Sequence, residues 1–245
     1  MSKRVPSVHR LMTLLLLASV VGAAGCACSG TGSVCASQPT AMSRADQQAM
    51  TPDQAIERLA EGNRRFVSGQ SINRDHVAAK QATAAGQHPF AVVLACIDSR
   101  VSPEIVFDQG LGDLFVPRVA GNYAPTDILG SMEFATKVAG ARAIVVVGHT
   151  GCGAVMGACD NVELGNLTTV ISAIRPAVDA VQGVPGDRSS ANAEFVLAAT
   201  EMNVRRTVSS IRTSSPILRD LEASGQIKIV GAMHDLETGR VTYLD

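Results

Sequence analysis

The sequence predicts an α/β fold in which a mainly parallel β-sheet is flanked by helices, and three observations carry that prediction. Phe90–Ala95 and Ala143–Gly148 are continuous apolar runs rather than alternating ones, the pattern of strands buried on both faces. Strand-like and helix-like segments alternate along the chain, which implies parallel strands joined by right-handed helical crossovers. The shared core must be aliphatic: hydrophobic residues make up 46% of the 245-residue chain, aromatics only 3%, and tryptophan is absent. That is enough apolar material for one substantial domain.

In chain order, Lys3, Arg4 and Arg10 precede an apolar stretch from Leu11 to Gly25 that is shorter than a membrane span needs. The basic flank, the small residues after the run and the polar stretch beyond favour a secretory signal over residues 1–25 rather than an anchor or a core helix. Ala23-Ala24-Gly25-Cys26 also resembles a lipoprotein-processing site, although Ala23 stands where leucine is more usual. The mature chain is therefore expected to be exported, either periplasmic or anchored to the membrane by lipid at Cys26. Residues 26–50, rich in Gly, Ser, Thr, Ala and Gln, read as a flexible tether. Within it Cys28 and Cys35 are either a disulfide or two free thiols.

The domain is expected over residues 51–245. Thr51, Pro52 and Gln54 form a capping pattern for a helix that stops at Gly69, and a polar, Ala-rich helical stretch follows to Gly86. Strands are expected at Phe90–Ala95, Leu114–Val119, Ala143–Gly148, Ile227–Met233 and Arg240–Leu244. Helices are expected at Asp127–Val138, Ala154–Ala158 and over about 167–182, 191–212 and 216–223. A formal charge of -1 provides no basic face for nucleic acid, which is excluded as a partner.

Two chemistry-bearing residues stand at strand ends. Cys96 follows the first apolar run and His149, 53 residues later, follows the third strand, with Cys152 one turn beyond. Ligands in such sheets gather at the carboxyl ends of strands. Alone, each has an ordinary reading, the cysteines as small core hydrophobes and the histidine as a satisfied core group. Together, two thiolates and one imidazole suit Zn²⁺, and three protein ligands leave open the position that catalysis needs. Gly148-His-Thr-Gly-Cys-Gly153 lacks both the G-x-G-x-x-G order and the lysine of phosphate loops, and the absence of C-x-x-C removes a thioredoxin-like role. Cys159, seven residues past Cys152 on a helix, is expected to face away from the ion.

Cys96-Ile-Asp98-Ser-Arg100 followed by Gly148-His149-Thr-Gly-Cys152-Gly153 resembles the paired signatures of β-class carbonic anhydrases. The resemblance extends through Phe107–Val116, Arg118–Asn122, Gly130–Phe134 and Gly231–Asp235, so it spans roughly residues 52–245. It implies a zinc enzyme of α/β/α architecture that interconverts carbon dioxide and bicarbonate as a homodimer or dimer of dimers. In that reading Asp98 orients the attacking nucleophile, Arg100 holds Asp98 through a bidentate ion pair, and Gln109 and Gly153 meet the substrate. The ordinary alternative for Asp98 and Arg100 is an i,i+2 surface pair, but their placement immediately after a ligand at a strand end favours the functional reading. Phe134 and His234 stand where the family often has tyrosine, and Val93 stands where a bicarbonate-inhibited subgroup has tryptophan. Two other readings use the same residues: a carbon disulfide or carbonyl sulfide hydrolase, and a non-catalytic zinc-binding lipoprotein. The second would need the ligands but not Asp98 and Arg100.

Overall fold

A computed structural model describes residues 41–244, so the segment 1–25 expected as a signal peptide, and Cys26, Cys28 and Cys35, lie outside the described residues. The strands are β1 (Ala91–Ala95), β2 (Leu114–Phe115), β3 (Ala143–His149), β4 (Lys228–His234) and β5 (Val241–Leu244), in spatial order β2-β1-β3-β4-β5. All neighbours are parallel except β4 and β5. The expected α/β class is thus observed, with one antiparallel edge.

Both central strands are buried along their length, which is why their sequences do not alternate. Val92, Leu94, Ile144 and Val146 face the core shared with α8 (Ala193–Ser214) and α9 (Pro216–Ala223). Val93, Val145 and Val147 face α2 (Pro52–Val67) on the other side. The helix α2 begins as its capping box predicts, with Thr51 and Gln54 satisfying each other's backbone N–H groups. Gly148 lets α8 lie close against β3, since a Cβ there would stand 2.6 Å from Val204 Cγ2. A third cluster joins α6 (Gly153–Cys159), α7 (Leu167–Ala180) and α8 around Cys96 and Cys152.

Two expectations are corrected, and a third is borne out with a change of helix type at its end. The tether does not extend to residue 50: Ser43 caps a short helix, α1 (Arg44–Ala49), whose buried Gln47 donates through Nε2 to Pro89 O at 2.7 Å and Ala139 O at 2.8 Å. Six residues are too few to display helical periodicity, so their composition alone looked like linker. The strand expected over Leu114–Val119 is only two residues long, because Pro117 has no N–H for the ladder; a single bridge between Ala95 and Arg118 resumes the contact. The helix expected over Asp127–Val138 is α-helical as α5 (Thr126–Glu133) and continues as a π-helical turn, Phe134–Val138.

The short helices α3 (His76–Thr83) and α4 (Pro103–Val106) frame the turn that carries Asp108. Asp108, at φ 44°, buries its carboxylate against the guanidinium groups of Arg65 and Arg74 and the N–H of Ile72. These contacts tie α2 and the loop before α3 to the turn between α4 and β2.

Candidate metal centre

The parallel register aligns Ala95 with Val147, so Cys96 leaves β1 beside the end of β3, where His149 is the last residue. Gly151, at φ 63°, then reverses the chain and delivers Cys152 as the N-cap of α6. Sequence spacing thus becomes convergence: Cys96 Sγ, Cys152 Sγ and a ring nitrogen of His149 all lie within 4.8 Å of one another. The two sulfurs are 4.0 Å apart. Cys96 is 4% exposed, and His149 and Cys152 are fully buried.

The donor set fits a zinc ion. His149 Nδ1 lies 3.1 Å from Thr150 O, which can only accept, so Nδ1 donates there and Nε2 is the ring nitrogen left to meet a metal. That Nε2 is buried with no hydrogen-bond partner, and an orphaned buried nitrogen facing two thiols fits a metal ligand. The two thiols share one hydrogen bond, which acts on them in opposite directions. Cys96 is pulled well below the ordinary thiol range, chiefly by its hydrogen bond with Cys152, with further help from His149 and the Gly121 N–H, against its burial. Cys152 is pushed up by the same hydrogen bond and by burial. A divalent cation between them relieves both.

Asp98 stands at the rim with Oδ2 4.0 Å from His149 Nε2. Arg100 grips both carboxylate oxygens, Nε to Oδ1 at 2.9 Å and a terminal nitrogen to Oδ2 at 2.7 Å, and its backbone N–H adds a third bond at 3.0 Å. These hydrogen bonds hold the Asp98 carboxyl far below the usual carboxylate range. Gly153 is exposed in the first turn of α6, next to Cys152. Gln109 is not brought into the cluster. Its Nε2 donates to Phe107 O at 2.6 Å and its Oε1 accepts from Arg58 Nε at 3.2 Å, because the turn at Asp108 aims it toward α2. Cys159 also lies outside the trio, by distance rather than by direction. Seven residues are two helical turns, so it follows the face of Cys152 about 10 Å further on.

Three residues around the site escaped the sequence reading. Arg118 donates from Nε to Cys96 O at 2.9 Å and from a terminal nitrogen to Asp98 O at 2.7 Å, strapping the backbone of the first ligand turn. The Gly121 N–H donates to Cys96 Sγ at 3.4 Å, and Asn203 Nδ2 donates to Gly121 O at 2.7 Å. The only sequence signal for Asn203 is a polar residue on the buried stripe of α8, among Ala199, Val204 and Thr207. His234 pairs in register with His149 and has both ring nitrogens buried without a partner; burial, with His149 adding to it, pushes its pKa down.

A sheet that gathers two thiols and an imidazole at its carboxyl edge, with an arginine-clamped aspartate at the rim, defines a metalloenzyme class. The carbonic anhydrase family model matches residues 91–241. Carbonic anhydrase 2 of Mycobacterium tuberculosis is 38% identical over 205 residues, covering 79% of this chain and 93% of that protein. The carbonic anhydrase of Mycolicibacterium smegmatis is 36% identical over 196 residues, covering 78% and 92%. Among solved structures, the β-carbonic anhydrase CcaA superposes with a TM-score of 0.61 at 27% identity, covering 78% of this chain and 87% of that one. The Coccomyxa β-carbonic anhydrase in complex with acetazolamide gives 0.59 at 26% identity, covering 77% and 86%. The chain belongs to the β-class carbonic anhydrase family.

Proposed function

We propose that this enzyme catalyses the reversible hydration of carbon dioxide to bicarbonate and a proton with one Zn²⁺ held by Cys96, His149 and Cys152. The observation that carries the reading is the buried, unpartnered His149 Nε2 facing two thiols. When bound, zinc supplies Lewis-acid activation of water, complete near a pKa of about 7 with three imidazole ligands and displaced upward when two thiolates donate charge to the ion. The chain does the rest. Asp98, kept ionised by Arg100, accepts a hydrogen bond from the attacking nucleophile and turns its lone pair toward carbon dioxide. The Gly153 N–H, in the exposed first turn of α6 beside Cys152, meets a substrate oxygen in this reading. The apolar cluster behind Cys152 offers carbon dioxide a surface without competing hydrogen bonds.

Stopped-flow hydration assays are expected to show activity rising from pH 6 to pH 9. Asp98 cannot produce that rise, because its pKa is lowered and it is charged throughout that window. A flat profile would contradict the proposed ligand set.

We also propose that the chain is exported and works as a homo-oligomer. The leader pattern supports the first part. The second is supported by an apolar groove beside the edge strand β2, lined by Phe115, Val116, Pro117 and Phe134, where Phe134 is 53% exposed. Native and intact-mass spectrometry of the protein recovered from cells reads both together. Processing before Cys26 and a mass of two or four subunits are expected; a monomer retaining residues 1–25 would refute both.

A further inference from the structure

We infer that Asn203 is a positioning residue for the metal centre: from α8 it pins the Gly121 carbonyl, on the peptide that follows the one carrying the Gly121 N–H, and so limits the rotation about Gly121 that would turn that N–H away from Cys96 Sγ. The chain of contacts is short. Asn203 Nδ2 donates to Gly121 O at 2.7 Å, and Gly121 N donates to Cys96 Sγ at 3.4 Å. Asn203 is 3% exposed, so its amide has no water to compete for that bond.

The position admits only this arrangement. Gly121 has φ 73°, and a Cβ there would stand 2.3 Å from Ile174 Cδ1, so glycine is required for the turn. Glycine is also the residue about whose Cα the flanking peptides rotate most freely, so an N–H aimed at a sulfur is better held when the peptide on the other side of that Cα is anchored. The buried amide of Asn203 supplies that hold from a helix 82 residues away.

The consequence is electronic as well as steric. An N–H pointing at a thiolate draws off part of the sulfur's negative charge. Cys96 then donates less to a bound cation, which keeps that cation a stronger Lewis acid than two unmodified thiolates would allow. This partly offsets the charge cancellation that a two-thiolate site imposes. The inference rests on the zinc reading above, and its test separates the two.

The test uses the full chain with Co²⁺ in place of zinc, comparing wild type with Asn203→Ala and Asn203→Ser, alongside hydration kinetics of the zinc forms. Serine offers a shorter donor, so it also provides a measurable variant if alanine at this buried position fails to fold. The sulfur-to-cobalt charge-transfer band is expected to move to longer wavelength in Asn203→Ala, because a thiolate without its N–H partner is easier to oxidise, and to lie between the two in Asn203→Ser. With metal occupancy kept, kcat of the zinc form should fall roughly 10- to 100-fold. Folded, fully metallated variants with the wild-type band would overturn the inference, whether or not kcat falls. A wild-type protein that takes up cobalt without any such band would overturn the underlying zinc–thiolate reading instead.

Discussion

Arg100→Ala is expected to keep its zinc and lose more than about 100-fold of its carbon dioxide hydration, beyond the usual effect of removing a residue that only orients a metal ligand. The reason lies in what Asp98 does once released. In the structure its two oxygens are occupied by three hydrogen bonds from Arg100, although Oδ2 is only 4.0 Å from His149 Nε2. A carboxylate this close to the proposed three-ligand zinc site, and no longer clamped, is itself a good fourth ligand. Losing Arg100 therefore has two consequences: the nucleophile is no longer oriented, and an internal inhibitor is freed. The site should be full of metal and closed. Zinc analysis and hydration rates of Arg100→Ala across a range of pH check this, and near-normal activity at full occupancy would refute it.

The second large effect is expected at the thiols. Cys96→Ser and Cys152→Ser preserve size and polarity, but a serine hydroxyl stays protonated where a thiol gives up its proton to the metal. Each substitution leaves one thiolate and His149 to hold the ion. Zinc should become substoichiometric and hydration should fall to the uncatalysed background. Cys159→Ser should do neither, since Cys159 is absent from the trio and burial pushes its thiol pKa up, away from the metal-ready thiolate.

Much of this was legible in the sequence because it depended on local features. The runs Phe90–Ala95 and Ala143–Gly148 announced strands covered on both faces, and residues that end such strands meet at one edge of the sheet. The convergence of Cys96, His149 and Cys152 is therefore legible in the sequence alone. The capping box at Thr51 fixed the start of α2 for a similar reason, since its signal is contained in four residues. What depended on a single backbone angle or a distant partner was hidden. The left-handed turn at Asp108 sends Gln109 to Arg58 and Phe107, a direction that its place in the sequence does not show. Pro117 shortened β2, and α1 was too brief to show a period. Asn203 reaches Gly121 only because Gly148 lets α8 settle against β3, a packing fact that no window along the chain contains.

The central claim is that one zinc, held by three named residues, carries the activity, and parallel metal analysis and stopped-flow hydration on the same preparations test it most directly. Wild type and Cys159→Ser should each contain one zinc per chain and hydrate carbon dioxide, lose both on chelation and regain both when zinc is restored. Cys96→Ser and Cys152→Ser should contain little zinc and show no catalysis. Stoichiometric zinc in both of those variants, or hydration that survives complete removal of the metal, would contradict the account.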